Sequence, residues 1–188
     1  MPLGAARFGL GGGAVDLGKL ELIRTQAITS STAQVDFTDL GTGYNLHLIT
    51  VNNLHIATDS QDLNFRVFVG GSLQTGNDYS RAFNINRSNG SNDEDRDPTL
   101  DRLRVTPEIG ASSNELTNGY FYLYNALSSS KYTFLNQHST FLTKDPYYAT
   151  TFGAGSFNET DTLSGFRFYM SSGNINEAEI SLYGIAES

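Results

Sequence analysis

Regular alternation of apolar and polar residues near the C-terminal end constrains the fold of this chain more than any other feature. Residues 162–185 read TLSGFRFYMSSGNINEAEISLYGI, with Phe166, Phe168 and Met170 alternating in one run and Ile180 and Leu182 in the next. A period of two places alternate side chains on opposite faces of a sheet. Residues 171–174, SSGN, have turn composition, because Gly and Asn tolerate positive φ. The pattern predicts an antiparallel hairpin that closes a β-sandwich.

Similar alternation recurs from Lys19 onward. Strands are predicted near residues 20–26, 33–37, 44–51, 63–69, 79–85, 120–124, 132–134 and 147–152. A change of phase between Leu48 and Ile49 predicts a β-bulge, and residues 63–86 are predicted to form a hairpin with a long loop. Because no segment keeps a helical period, the sequence predicts an all-β fold, an antiparallel, jelly-roll-like β-sandwich over residues 19–188.

Residues 1–18 differ from the rest, since six of them are glycine. Ordering such a segment costs much backbone entropy and buries few side chains. It is predicted to be a flexible, glycine-rich N-terminal arm that anchors the protein to a partner. The partner-binding residues are predicted to be Leu3, Arg7, Phe8 and Leu10. The alternative is a terminal tail without a binding role.

Residues 87–119 are polar and carry clustered charges of both signs, which predicts a long exposed insertion. Its acidic cluster is a candidate Ca²⁺ site, because hard cations take several carboxylate oxygens. The cluster comprises Asn92, Asp93, Glu94, Asp95 and Asp97. The turn glycine of an EF-hand loop is missing, however. The favoured alternative is a solvated acidic loop that Arg96, Arg102 and Arg104 partly neutralise.

Composition argues against several functions. The net charge of −8 and the lack of Lys/Arg clusters argue against nucleic-acid binding. The chain has no cysteine for disulfides or thiol catalysis and no apolar run long enough to span a membrane. Residues 13–19 resemble a phosphate-binding loop, but Leu20 replaces the required Ser or Thr and no strand precedes them. The sequence therefore predicts a non-enzymatic protein without a cofactor or metal site.

Aromatic residues are the remaining candidates for binding. The chain has ten tyrosines, and tyrosine provides flat contact area with a polar tip, which suits both glycan stacking and protein interfaces. We expect about half of them at the edge of the core and half at interfaces. His47 lies on the less apolar side of its predicted strand and is expected at the surface or an interface.

The C-terminal segment FRFYMSSGNINEAEISLYGI resembles a signature of small virion-associated proteins of tailed phages, in which an aromatic strand, an MSSGNI turn and a final LYGI strand follow one another. The segment LNFRVFVGGS is similar to their sheet-plus-glycine-turn element. The segment GAARFGLGGG resembles N-terminal peptides of phage appendage proteins. The resemblance implies a structural role in a virion and transfers no functional residues.

Together these observations predict a non-enzymatic structural protein of a bacteriophage virion that is assembled in the host cytoplasm. Two placements remain open: a tail-fibre or appendage subunit, and a capsid-decoration subunit. The expected partners are other virion proteins and further copies of the chain, with a homotrimer as the first expectation. The alternative function is a carbohydrate-binding module that recognises a host surface glycan.

Overall fold

The computed structural model describes residues 19–186, which contain thirteen β-strands and no helix. No part of this range could therefore span a bilayer as a helix. The strands are β1 (Leu20–Ile28), β2 (Gln34–Phe37), β3 (Leu46–Ile56), β4 (Gln61–Val69), β5 (Ser72–Leu73), β6 (Tyr79–Arg87), β7 (Asn92–Leu100), β8 (Leu103–Ile109), β9 (Thr117–Tyr124), β10 (Thr133–Leu142), β11 (Tyr148–Phe157), β12 (Leu163–Met170) and β13 (Ile175–Ile185).

These strands form two antiparallel sheets that pack face to face. Sheet A has eight strands in the order β1-β13-β3-β9-β10-β11-β6-β7. Sheet B has the order β2-β12-β4-β5, and β8 also pairs with β4. The prediction of an all-β antiparallel sandwich is confirmed.

Eight of the strands follow jelly-roll topology. β1 pairs with β13 and β3 pairs with β9 in sheet A, while β2 pairs with β12 and β4 pairs with β8 in sheet B. Among these eight strands the first pairs with the last, the second with the second-last, and so on inward. This is the pairing of a long antiparallel ribbon that folds around a core. The connection between β4 and β8 adds β5, β6 and β7, and the connection between β9 and β12 adds β10 and β11. Four of these added strands widen sheet A.

Aromatic side chains fill the core between the sheets. The Phe166 ring stacks on Phe37 with ring centroids 4.8 Å apart and lies 5.5 Å from Phe65. Phe121 of sheet A lies 5.5 Å from Phe168 of sheet B, so the two sheets contact each other through phenylalanine. These side chains are all but inaccessible to solvent. The inward positions of the alternating strands supply them, as the sequence predicts.

The predicted closing hairpin is wrong. β12 belongs to sheet B and β13 to sheet A, so the two strands face each other across the core and do not pair. The turn between β12 and β13 instead forms backbone hydrogen bonds beside the connection from β3 to β4, which also crosses from sheet A to sheet B. Ser171 N donates to Asp62 O (2.9 Å), and Ala57 N donates to Asn174 O (2.9 Å). Gly173 has a φ of 73°, which suits the turn as expected. Alternation is the same for a hairpin and for a crossover between sheets, so it could not distinguish them.

The predicted hairpin over residues 63–86 is wrong for the same reason. β4 lies in sheet B and pairs with the two-residue strand β5, whereas β6 lies in sheet A beside β11. The predicted bulge at Leu48–Ile49 is also misplaced. The β3 register shifts between Val51 and Leu54, where Asn53 has a φ of 51°. Up to Val51, buried and partly exposed residues of β3 alternate without interruption.

The segment 87–119, predicted as a long exposed insertion, contains strands β7 and β8 and the first residues of β9. β7 is a mostly exposed edge strand paired with β6, and β8 is a mostly buried strand paired with β4. The β7 sequence NDEDRDPTL lacks the apolar alternation by which strands are recognised, because little of it faces the core. Charge and proline on an edge strand discourage pairing with another chain.

His47 is fully buried, and the expectation that it lies at the surface is wrong. Its Nε2 lies 2.9 Å from the Leu40 carbonyl oxygen, and its Nδ1 has no hydrogen-bond partner in the described structure. Burial lowers the pKa of His47, and the hydrogen bond to Leu40 opposes this in part. The ring is therefore neutral in the fold, with Nε2–H donating to the carbonyl.

We expect the free energy of unfolding to decrease below about pH 6.5, where an unfolded histidine becomes protonated. The folded pKa of His47 is lowered, so the unfolded chain binds more protons in this range, and one histidine can contribute a loss of at most about 1.4 kcal/mol per pH unit. His47→Gln should flatten this part of the profile, because the amide can bond to Leu40 without titrating. Urea denaturation between pH 5 and 8 measures the difference, and parallel profiles would contradict the assignment.

A close contact in β13 accounts for one residue of the LYGI segment. A Cβ at Gly184 would lie 2.5 Å from ring carbons of Tyr44, so only glycine leaves room for this ring. The Tyr44 hydroxyl donates to Glu21 Oε2 at 2.7 Å, and this bond raises the pKa of Tyr44. The ring thereby connects the β2–β3 loop to β1.

Candidate functional site

The outer face of sheet A carries an unusual number of large apolar side chains. Tyr120 and Phe134 are each close to half exposed, at 45% and 46%. They lie on the central strands β9 and β10, whose inward residues, such as Phe121 and Leu135, already fill the core. β9 therefore carries large apolar side chains on both sides, whereas β10 mixes apolar and polar residues on each side. The exposed large hydrophobic residues on this face are Leu20, Leu22, Tyr120, Phe134, Tyr148 and Phe152.

Strand register arranges these side chains in rows that cross the sheet. One row runs through Leu20, Ile185, Leu46, Tyr124 and Phe134, each opposite the next on the neighbouring strand. The adjacent row runs through Leu22, Tyr183, Leu48, Tyr122, Asn136, Ala154 and Ala82. We call the surface made by these two rows, together with Tyr120, His138 and Phe152, the outer apolar face. At about 4.8 Å per strand, its seven strands span roughly 29 Å.

A groove crosses this face at β10, β11 and β6. Ala82 and Ala154 form its floor, because their small side chains stand opposite each other between larger neighbours. They line both a cavity of about 730 Å³ beside Tyr122 and a cavity of about 450 Å³ beside Phe134 and Pro98. The two cavities adjoin at this floor. The groove thus runs from the aromatic side chains of β9 to the edge strand β7.

The aromatic side of the groove is a packed cluster. The Tyr120 ring lies 5.9 Å from Tyr122 and 5.3 Å from His138, both edge-on, and Tyr122 lies 6.4 Å from Tyr124. Edge-on packing of this kind is favourable for aromatic rings. It holds the cluster in place without a partner, so the surface is formed in advance of binding.

Hydrogen bonds define the role of His138 in this cluster. Thr150 Oγ1 donates to the Ser139 carbonyl (3.0 Å) and lies 3.1 Å from His138 Nε2. A hydroxyl has one proton, so it accepts from Nε2–H of His138. In residues 19–186 no carboxylate orients any of the three histidines: His47 and His55 bond to the carbonyls of Leu40 and Ala111. The Thr150 hydroxyl therefore fixes the orientation of the His138 ring within the cluster.

The acidic residues of β7 do not converge on a cation. Alternation along the strand places Asp93 and Asp95 on the side opposite to Glu94. Arginines neutralise them: Asp95 contacts Arg81 and Arg104, Asp93 contacts Arg87, and Glu94 contacts Arg96. In the part of the chain that is described, no group of three or more potential ligands could hold a metal ion. Of the three arginines expected to neutralise the cluster, Arg96 and Arg104 pair with it, whereas Arg102 pairs with Asp101. The segment is also a strand, not the expected loop.

A polar cavity of about 340 Å³ lies at one end of the sandwich, lined by Arg87, Glu108 and Lys144 among others. Arg87 donates to Asp93 (2.6 Å) and to Glu108 (2.7 Å). Burial alone would lower the pKa of Arg87, but these two hydrogen bonds outweigh it and raise the pKa. Its guanidinium is already engaged by two carboxylates, so this cavity is a weaker candidate site than the groove.

The predicted partner-binding residues Leu3, Arg7, Phe8 and Leu10 lie outside the described residues. Sequence reasoning did not identify the outer apolar face, although Tyr120, Tyr122 and Tyr124 alternating with apolar residues were a sign of it. The face combines residues of seven strands that are distant in sequence. Its extent could not be inferred without the pairing of those strands.

Comparisons with protein-family models, with curated proteins and with solved structures find no match to this chain.

Proposed function

We propose that this protein is a non-enzymatic structural protein of a bacteriophage virion, either a tail-fibre or appendage subunit or a capsid-decoration subunit. The outer apolar face is the surface by which it packs against neighbouring virion proteins. The resemblance of residues 166–185 to small virion-associated proteins motivates the proposal. Jelly rolls also occur in viral capsid proteins, which is an analogy of fold alone.

The outer apolar face is the observation that supports a packing role. Its longer row spans roughly 29 Å and its shorter row roughly 19 Å, from the spacing of the strands. The largest apolar patch of a typical soluble monomer covers about 300–600 Å² and is often a functional surface. Aromatic side chains are also enriched at the centres of protein interfaces. A surface of this kind is expected to be covered in the working assembly.

Incorporation into particles tests this proposal. We expect Tyr122→Ser/Phe134→Ser to reduce the copies per particle at least tenfold, because polar substitutions remove apolar contact from the centre of the face. Tyr147→Ser is the matched control, since Tyr147 is a 40% exposed tyrosine outside the face. Quantitative mass spectrometry of purified particles gives the copy number, and circular dichroism verifies folding. Full incorporation of a folded double variant would contradict the proposal.

Carbohydrate binding is the second candidate, and the groove is the observation that favours it. Tyr120 and Phe152 provide exposed rings on which sugar C–H faces can stack, and Asn136 and Arg96 provide hydrogen-bonding groups beside them. Under this alternative the purified protein binds polysaccharide extracted from the host envelope, and Tyr120→Ser weakens that binding while Tyr147→Ser does not. Absence of binding by the wild-type protein would remove this candidate.

A further inference from the structure

We propose that the outer apolar face binds residues 1–18 of a second copy of this chain. The inference rests on the proposed function, in which this face is a packing surface, and it specifies the occupant. It is based on where the described chain starts, on the distance across the sheet, and on how charge is divided between residues 1–18 and the remainder.

The segment 1–18 joins the fold at the edge where the apolar rows begin. Leu20 and Leu22, the first members of the two rows, are 51% and 58% exposed. The carbonyl of Lys19 accepts a hydrogen bond from Ala186 N (3.0 Å), which holds the start of β1 against the end of β13. The described chain therefore starts at Lys19, beside the exposed leucines and at an edge of sheet A.

Distance favours a second copy over the same chain. The groove floor at Ala82 lies in β6, six strand spacings from β1, or roughly 29 Å. The eleven residues from Phe8 to Lys19 span at most about 40 Å when fully extended. The distance to the groove floor of the same chain is about three quarters of that limit and exceeds the roughly 17–20 Å average span of a flexible eleven-residue linker, so reaching it costs backbone entropy. A neighbouring copy can present the same groove without this requirement.

The side chains of the segment match the groove. Phe8 and Leu10 are apolar groups of the size that the small Ala82 and Ala154 floor can accept between the larger walls. On β7 the carboxylate on this side of the sheet is Glu94, and Arg96 already pairs with it at 3.2 Å. The match therefore depends on the apolar side chains Phe8 and Leu10.

Charge also favours this occupant. Residues 1–18 contain one arginine and one aspartate, whose charges cancel, so the net charge of −8 belongs to the remainder of the chain. Two such acidic bodies repel each other when packed face to face. A segment without net charge can connect them through apolar contact. Head-to-tail exchange of this kind is a heterologous contact that closes into a ring when the rotation permits, and the predicted homotrimer is one such ring.

Self-association of the full chain tests the occupant. We expect Phe8→Ser/Leu10→Ser to weaken association at least tenfold in sedimentation velocity, and Tyr122→Ser/Phe134→Ser to weaken it similarly. Combining all four changes should add little, because both pairs remove the same contact. The matched controls are Ala5→Ser/Ala6→Ser within the segment and Tyr147→Ser outside the face. Association that persists in the Phe8→Ser/Leu10→Ser variant would overturn the proposal.

A synthetic peptide of residues 1–18 provides a second measurement. It should bind the full-length Phe8→Ser/Leu10→Ser protein, whose own segment no longer competes, and should lose at least tenfold in affinity when Tyr122→Ser/Phe134→Ser are added. Equal binding to both proteins would overturn the proposal. A wild-type protein that is monomeric and does not bind the peptide, because its own residues 1–18 occupy the outer apolar face, would also overturn it. If these tests fail while the face variant is still lost from particles, the proposed function stands with another occupant.

Discussion

Replacing Phe166 by alanine is expected to lower the free energy of unfolding by about 3–5 kcal/mol. The Phe166 ring is inaccessible to solvent and contacts the rings of Phe37, Phe65 and Phe168 at 4.8–5.6 Å. Removing it leaves a cavity at the centre of sheet B that the surrounding strands cannot fill without moving. Because the free energy of unfolding of native domains is only about 5–15 kcal/mol, this single change removes a large fraction of it.

Phe134→Ala is the matched control for this prediction. The same side chain is removed, but Phe134 is 46% exposed on the outer apolar face and its loss creates no enclosed cavity. We expect it to lower the free energy of unfolding by less than about 1 kcal/mol. Urea denaturation followed by circular dichroism measures both. Comparable losses for the two variants would mean that the assignment of inner and outer faces is wrong.

Replacing Asp95 by alanine is expected to lower the free energy of unfolding by about 2–3 kcal/mol. Asp95 points toward sheet B from β7, with its side chain 13% exposed, and contacts Arg81 at 2.9 Å and Arg104. Arg104 also lies 3.5 Å from Asp62 of β4, so the network joins the edge of sheet A to sheet B. Without Asp95, two partly buried guanidinium groups lose their shared carboxylate and repel each other.

The neighbouring residue is the control for this second prediction. Glu94 lies on the opposite side of β7 and pairs with Arg96 at 3.2 Å, with both side chains more than half exposed. Exposed pairs contribute about 0–1 kcal/mol, so Glu94→Ala should have little effect on denaturant midpoints. The Asp95→Ala loss should also persist in moderate salt, because partly buried pairs are screened less than exposed ones. A salt-sensitive loss equal to that of Glu94→Ala would contradict the network.

Most strands could be predicted because their inward positions are apolar. Phe166 and Phe168 show this directly, since alternation placed both on one face of their strand and that face lies in the core. Strand β7 escaped prediction because an exposed edge strand carries no such signal. His47 was misassigned because Leu46 and Leu48, its apolar neighbours, belong to the outer apolar face. Inward residues are usually recognised as the apolar ones, so an apolar outer face leads to the wrong assignment of the two sides of a strand.

The candidate site was less predictable than the fold. Tyr120, Tyr122 and Tyr124 were recognisable as potential interface residues from sequence, since tyrosine is suited to that role. Their partners Phe134, Phe152 and Ala154 come from other strands, and their proximity depends on the register between those strands. The acidic residues of β7 show the same limit, because pairing with Arg81, Arg87 and Arg104 depends on tertiary contacts.

The sequence by itself determined that this chain is an antiparallel all-β sandwich, because local alternation decides which side chains can be buried together. Only the tertiary structure decided which strands pair, including that β12 and β13 lie in opposite sheets. It also decided that apolar residues of seven strands form one outer surface. The physical reason is that alternation specifies the two faces of each strand, whereas strand partners depend on contacts between segments far apart in the chain.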